Sequence, residues 1–303
     1  MSAEVAAAVD ALRAGELVLL PTETVYGLAA DAANAQAVAR IFEAKGRPRF
    51  NPLISHVFDQ AAAERIALFD DRARALAAAF WPGPLTIVAP LKDAAAVCDL
   101  ARAGLDTVAV RAPSHPLARA VLAGFGRPVV APSANRSGRP SPTRFSDAVE
   151  ETGAATAVAL DGGDCEVGLE STVVSVTDQV RLLRPGAITR EELEALIGPL
   201  AEAEDDARRS PGRLAAHYAP EAPVRLNALE AQPGEILIGF GPVAGQFSLS
   251  PSGDLREAAA NLFKLLREAD RAGPEGIAVA PVPEHGLGEA INDRLARAAG
   301  KVG

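Results

Sequence analysis

Short apolar runs alternate with stretches whose apolar residues recur every three to four positions, and this alternation sets the architecture. Runs at 17–20, 53–57, 85–91, 107–111, 129–131, 172–176 and 180–183 read as strands. Helical spacing fills 3–14, an alanine-rich segment stopped by Gly15, and parts of 35–45, 59–67, 71–80, 115–123 and 143–151. Thr189-Arg190-Glu191-Glu192 has capping-box spacing, so a helix begins there and buries Leu193, Leu196 and Ile197. Strands outnumber crossover helices. The pattern therefore predicts an α/β fold with a mixed sheet.

The pattern breaks at 201–223, where acidic residues, two arginines, Ser210-Pro211-Gly212 and His217-Tyr218-Ala219-Pro220 read as a linker. A second, smaller α/β unit follows, with strands near 235–239 and 276–282 and helices near 254–271 and 287–299. The expected division is 1–200, 201–223 and 224–303, the last part Rossmann-like. Gly239-Phe240-Gly241 loosely matches a dinucleotide fingerprint, but Pro242 and the polar stretch 246–253 stand where its helix would start. The linker is long and rich in proline and glycine, which predicts that 210–220 folds over the first unit as a lid.

Composition narrows this further. A chain of 303 residues exceeds the usual size of one core, and 49% hydrophobic content suffices for two. No apolar run approaches the roughly 20 residues that span a bilayer. Met1-Ser2-Ala3-Glu4 lacks a basic leader, and Cys98 and Cys165 show no metal-type spacing, so a cytoplasmic protein is expected. The net charge of −9 argues against strong general attraction to nucleic acid. Any anion site must be local.

Three segments offer such a site. Pro21-Thr22-Glu23-Thr24-Val25-Tyr26-Gly27-Leu28 places hydroxyls and a carboxylate directly after an apolar strand. Lys45-Gly46-Arg47-Pro48-Arg49-Phe50-Asn51 packs three cations between turn residues, with His56 close behind. Pro132-Ser133-Ala134-Asn135-Arg136-Ser137-Gly138 and the following Ser141 can cradle phosphate or ribose oxygens. Taken singly, each has a plain reading: a strand-to-turn corner, a solvated helix end, a surface loop. Arg111 and Arg184 each end an apolar strand, a costly place for a charge unless it is paired. An anionic ligand would pair it, and so would an internal carboxylate.

Together with Thr107–Arg111, Glu170–Val174, Arg184-Pro185-Gly186 and the stretch 286–295, these segments resemble the Sua5/YciO/YrdC family, in its two-domain Sua5 branch. The resemblance covers nearly the whole chain and implies a twisted mixed sheet with an open concave cleft, plus a smaller Rossmann-like C-terminal α/β domain. It implies synthesis of threonylcarbamoyl-AMP and pyrophosphate from L-threonine, bicarbonate and Mg2+-bound ATP. The product would pass to a tRNA threonylcarbamoyl transferase, with direct tRNA binding weak or absent and no membrane partner. It implies that Thr24, His56, Arg111, Ala131 and Ser171 hold threonine. Arg47, Asn51, Thr107, Ser133, Ser141, Arg184 and Tyr218 would hold ATP, with Lys45 and Arg47 as the catalytic cations. Two departures stand out. Leu214-Ala215-Ala216 replaces the basic or aromatic residues that often precede the family's His-Tyr, and Ala131 stands where a threonine is possible. The alternatives are a YciO-like or carbamoyl-transfer protein of the same fold, or an RNA-binding module.

Overall fold

The computed structural model describes residues 2–48, 50–201 and 218–300. Helix α1 (Ala3–Arg13) starts where the Ser2 hydroxyl accepts from the Val5 N–H, and it buries Val5, Ala8, Val9 and Leu12. The first sheet comprises β1 (Val18–Leu20), β2 (Gly27–Asp31), β3 (Ile54–His56), β4 (Leu85–Pro90), β5 (Thr107–Arg111), β6 (Val129–Val130), β7 (Val158–Ala159), β8 (Thr172–Ser175) and β9 (Arg181–Arg184). Its order is β7-β1-β2-β6-β3-β5-β4-β8-β9, with parallel and antiparallel neighbours. The sheet is mixed, as the strand-to-helix ratio predicted.

Alternation along the strands sorts residues to two faces. Leu85, Ile87, Ala89, Val108, Val110 and Val174 enter the main core with α2 (Ala35–Lys45), α3 (Gln60–Ile66) and α4 (Asp71–Phe80). The other face carries only a thin apolar floor of Ile54, Val88, Ala109, Val173 and Leu183. Helix α6 (Pro116–Phe125) covers the β1 end together with α1. The remaining helices of this unit are α5 (Asp99–Arg102), α7 (Phe145–Thr152) and α8 (Arg190–Ile197). The capping box at Thr189 and Glu192 forms as expected.

A second sheet contains β10 (Val224–Leu226), β11 (Glu235–Gly239), β12 (Phe247–Ser248) and β13 (Gly276–Val279), all parallel in the order β10-β13-β11-β12. It packs against α9 (Leu255–Arg271) and α10 (Leu287–Ala298). After Gly239-Phe240-Gly241 comes strand β12 rather than a helix, so the loose dinucleotide fingerprint has no helix N-terminus behind it.

The two sheets do not join, but their cores do. Val25 and Leu169 of the first unit share a buried cluster with Tyr218, Ile238, Phe263 and Leu266. Gly168, at φ +72°, lies so close to α9 that a Cβ there would stand 2.4 Å from the Ala260 Cα. Ion pairs flank this contact: Arg267–Glu151 at 2.9 Å, Arg144–Glu268 at 2.6 Å and Arg190–Glu289 at 2.7 Å. The exposed pairs add little to stability; buried Glu151 depends on its arginines.

Several elements differ from the sequence expectation. Strand β2 follows immediately on the Thr-Glu-Thr corner, and β7, β10, β12 and α5 are additional. The lid reading of 210–220 rests mostly on residues outside those described. Tyr218 and the residues after it are described, and the Ala219 N–H donates to the Gly138 carbonyl at 2.7 Å.

Candidate active site

The open face of the first sheet holds a cleft. Its walls come from Thr24 and Val25 after β1, Arg47 and Pro52–Leu53 after α2, and Ile54 and His56 on β3. Arg111 ends β5, Ala131-Pro132-Ser133 follow β6, Glu170-Ser171 precede β8, Arg184 ends β9, and Tyr218 closes one side. Residues from both ends of the strands contribute, so the cleft crosses the face of the sheet.

Arg111 and His56 reach it because β3 and β5 pair in parallel with His56 opposite Arg111. Arg184 needs a further device. Val174 pairs with Leu182 but Val173 pairs with Arg184, so one extra residue intervenes on β9. Such a bulge turns a side chain to the opposite face, and here it sends Arg184 out of the main core and into the cleft.

Arg111 already has partners. It donates from Nη2 to Glu23 Oε1 at 2.6 Å, from Nη1 to Thr24 Oγ1 at 2.9 Å and from Nε to the Gly83 carbonyl at 3.2 Å. The internal carboxylate left open by the sequence is therefore Glu23, a residue in a flagged segment whose role needed the fold to show it. Two of the five guanidinium N–H groups remain for a ligand. Burial alone would raise the Glu23 carboxyl, but the charge and hydrogen bond of Arg111 hold it below the usual range.

His56 is buried, and its Nδ1 lacks a hydrogen-bond partner. Burial, then the nearby Arg111 charge, pushes its pKa down to about 3, so the ring is neutral at pH 7. An unfolded histidine titrates near pH 6.5, so this site contributes stability above that value and loses it as pH falls toward 3. At pH 5 the loss is about 2 kcal/mol. Melting curves at pH 7 and pH 5 should show a larger acid destabilisation in the native chain than in His56→Gln. Equal shifts would mean that the ring is accessible and unperturbed.

Arg47 and Arg184 form the cationic end. Arg47 donates from Nη2 to the Pro52 carbonyl at 3.3 Å, and its buried Nε has no partner. Burial, opposed by Tyr218 and reinforced by repulsion from Arg184, lowers its pKa to about 10, so it stays charged. Arg184 is lowered for the same first reason, burial, and donates from Nε and Nη2 to the Ser171 carbonyl at 3.1 and 2.8 Å. Two mutually repelling guanidiniums thus share one cleft.

The other predicted residues are placed differently. Lys45 is buried beneath the loop after β6, donating from Nζ to the Ser133 carbonyl at 2.5 Å and to the Asn135 carbonyl. Its amine thus supports that loop from below and does not line the cleft. Ser141 lies behind the wall, donating to Glu170 Oε1 at 2.5 Å. Asn51 is buried just outside, and Thr107 sits at the far end of β5 from Arg111. Ser171 shares a 2.8 Å hydrogen bond with Thr86 Oγ1, and Ala131 contributes to the wall. Glu170, quoted in the sequence motif without a role, lines the cleft beside Arg184 and Tyr218.

A mixed sheet with arginines gathered on its open face, joined to a parallel α/β unit through a shared core, is the frame of an enzyme for small anionic substrates. Known proteins make this specific. A profile described as "Telomere recombination" matches residues 10–186, and one described as "Threonylcarbamoyl-AMP synthase, C-terminal domain" matches 188–300. The chain is 40% identical to the threonylcarbamoyl-AMP synthase of Bacillus subtilis over 98% of its own length and 93% of that protein. Identity to the synthase of Pyrococcus abyssi is also 40%, over 95% and 92%. The crystal structure of P. abyssi Sua5 complexed with L-threonine superposes with a TM-score of 0.90 at 38% identity, covering 98% and 94% of the two chains. The chain belongs to the two-domain Sua5-type threonylcarbamoyl-AMP synthases. Its activity is that of a nucleotidyltransferase that uses ATP and serves the threonylcarbamoyl modification of tRNA.

Proposed function

We propose that the cleft binds its two organic substrates end to end, L-threonine at Arg111 and ATP at Arg47 and Arg184. The observation that carries this polarity is the separation of charge types. Arg111 is already half-neutralised by Glu23 beside the small polar groups of Thr24, His56 and Ser171, which suits one carboxylate. Arg47 and Arg184 lie nearer Tyr218 and repel one another, which suits a triphosphate and a base. Ala131 borders the threonine end through its backbone. Ser133, Ser141, Asn51 and Thr107 form the surround of the nucleotide, and Lys45 acts through the loop it supports.

Bicarbonate combines with the threonine amine to give a carbamate and water. A carbamate oxygen then attacks the α-phosphorus of ATP, and pyrophosphate leaves. The protein's share is positioning and charge stabilisation, since no nucleophilic side chain enters the scheme. Mg2+ arrives with ATP as part of that substrate. Glu23 and Glu170 are both taken by arginines, and no group of three or more His, Cys, Asp or Glu stands together among the described residues. The cleft's donors therefore do not fit a resident metal.

The division into a catalytic unit (1–200), a linker (201–223) that covers the cleft, and a C-terminal unit (224–303) belongs to the same reading. Tyr218 supports it, because it belongs to the linker and lines the cleft. Covering the site protects a hydrolysable acyl adenylate from water. With a net charge of −9, the enzyme hands its product to a tRNA-modifying transferase rather than holding tRNA itself. A cytoplasmic setting accords with that role, and no described helix is long and apolar enough to cross a membrane.

The test is pyrophosphate release from ATP and bicarbonate with and without L-threonine. Release should depend on threonine. Serine lacks one methyl, worth about 1–3 kcal/mol in a pocket, so it should support slow but measurable turnover. Threonine-independent release, or salt-dependent tRNA binding without release, contradicts the reading.

A further inference from the structure

Arg294 of α10 is wholly buried, at 0% exposure, although it belongs to the unit that carries none of the sheet beneath the cleft. Its Nε donates to Glu170 Oε2 at 2.9 Å, while Ser141 donates to the other oxygen, Oε1, at 2.5 Å. Its Nη1 donates to Asp293 Oδ2 at 2.6 Å, and Arg297 in turn donates to Asp293 Oδ1 at 2.9 Å. The guanidinium lies 5.4 Å from the centre of the Tyr218 ring, which also packs on Phe263 at 5.3 Å. One side chain thus touches a cleft carboxylate and the cleft's aromatic wall together.

Glu170 needs explaining. A bare carboxylate beside Arg184 would oppose a triphosphate and cancel part of the charge that attracts it. Burial would raise the Glu170 carboxyl, but Arg294 first and Arg184 second hold it ionised. With Arg294 in place its charge is spent on that arginine rather than turned on a ligand. Without Arg294, the carboxylate turns its full field on the nucleotide end. In a medium of effective dielectric near 20, such a repulsion weakens binding by roughly ten- to thirtyfold.

We propose that Arg294 is a positioning residue through which the C-terminal unit sets ATP affinity, by neutralising Glu170 at the nucleotide end of the cleft. The inference rests on the placement of ATP at Arg47 and Arg184.

Steady-state kinetics on the full chain tests it, with ATP and threonine varied separately. Arg294→Met should raise the KM for ATP by about ten- to thirtyfold and leave that for threonine within about twofold. Arg294→Lys, which keeps the charge, should recover most of the loss. Once Glu170→Gln removes the carboxylate, the arginine becomes nearly dispensable, so E170Q/R294M and E170Q should share an ATP KM within about threefold. That last comparison stands even where R294M alone does not fold. A tenfold gap between E170Q/R294M and E170Q, or equal losses for threonine and ATP in R294M, overturns the inference. Arg184→Met serves as the reference. If it leaves the ATP KM unchanged, the placement of ATP falls and this inference with it. If it raises the ATP KM while R294M does not, only the role of Arg294 is refuted.

Discussion

Arg47→Ala should lower the turnover of pyrophosphate release by about 10²-fold or more, the usual cost of removing a preorganised charge from a transition state. Structurally the change is mild. The Arg47 side chain is half-buried, its hydrogen bond to the Pro52 carbonyl is long at 3.3 Å, and its Nε has no partner. A residue so poorly satisfied by its own protein is held for something else. Melting temperature should therefore stay near that of the native chain while activity collapses. Lys45→Ala should behave differently, because the Lys45 amine supports the Ser133 and Asn135 carbonyls from below and its loss disturbs the loop as well as the rate. An Arg47→Ala enzyme of native turnover would remove Arg47 from the triphosphate site.

Gly168→Ala should produce a large loss of stability. The residue sits at φ +72°, and an added Cβ would approach the Ala260 Cα to 2.4 Å and the Ala259 carbonyl oxygen to 2.6 Å. These are helix backbone atoms and cannot rotate away. The left-handed conformation costs an ordinary residue about 1–2 kcal/mol, and overpacking adds about 1–3 kcal/mol. The sum, about 2–5 kcal/mol, falls on the contact that carries Leu169 and Glu170 against the C-terminal unit. Urea unfolding should show that loss together with a raised KM for ATP. Native stability in the variant would show that the two units do not meet at this glycine.

The strands read from the sequence were those with a strong periodic or apolar signal. Strands β4, β5 and β8 are runs of Leu, Ile, Val and Thr, and their burial follows directly. Strand β2 was hidden because Gly27-Leu28-Ala29-Ala30-Asp31 is poor in β-branched residues and is buried along its whole length. It is a strand because β1 and β6 pair with it on either side, a tertiary cause that local propensity does not carry. Strands β10 and β12 are similarly short and held by neighbours. At the site, the segments containing Thr24, Arg47, His56, Arg111, Ser171 and Arg184 were legible as polar clusters at the ends of apolar runs. Their partners were not. Glu23 beneath Arg111, the bulge that turns Arg184, and the meeting of Glu170, Tyr218 and Arg294 all join residues distant in sequence. Lys45 also needed the fold: read in sequence as one cation of a basic motif, it stands at the C-terminal end of α2 and donates to the Ser133 and Asn135 carbonyls.

The polarity of the cleft is the claim on which the rest depends, and a crystal structure with L-threonine and a non-reacting ATP analogue measures it directly. The account predicts the threonine carboxylate within hydrogen-bonding distance of Arg111, the phosphates against Arg47 and Arg184, and the base beside Tyr218. Phosphates at Arg111, threonine at Arg184, or either ligand bound outside the cleft would contradict it.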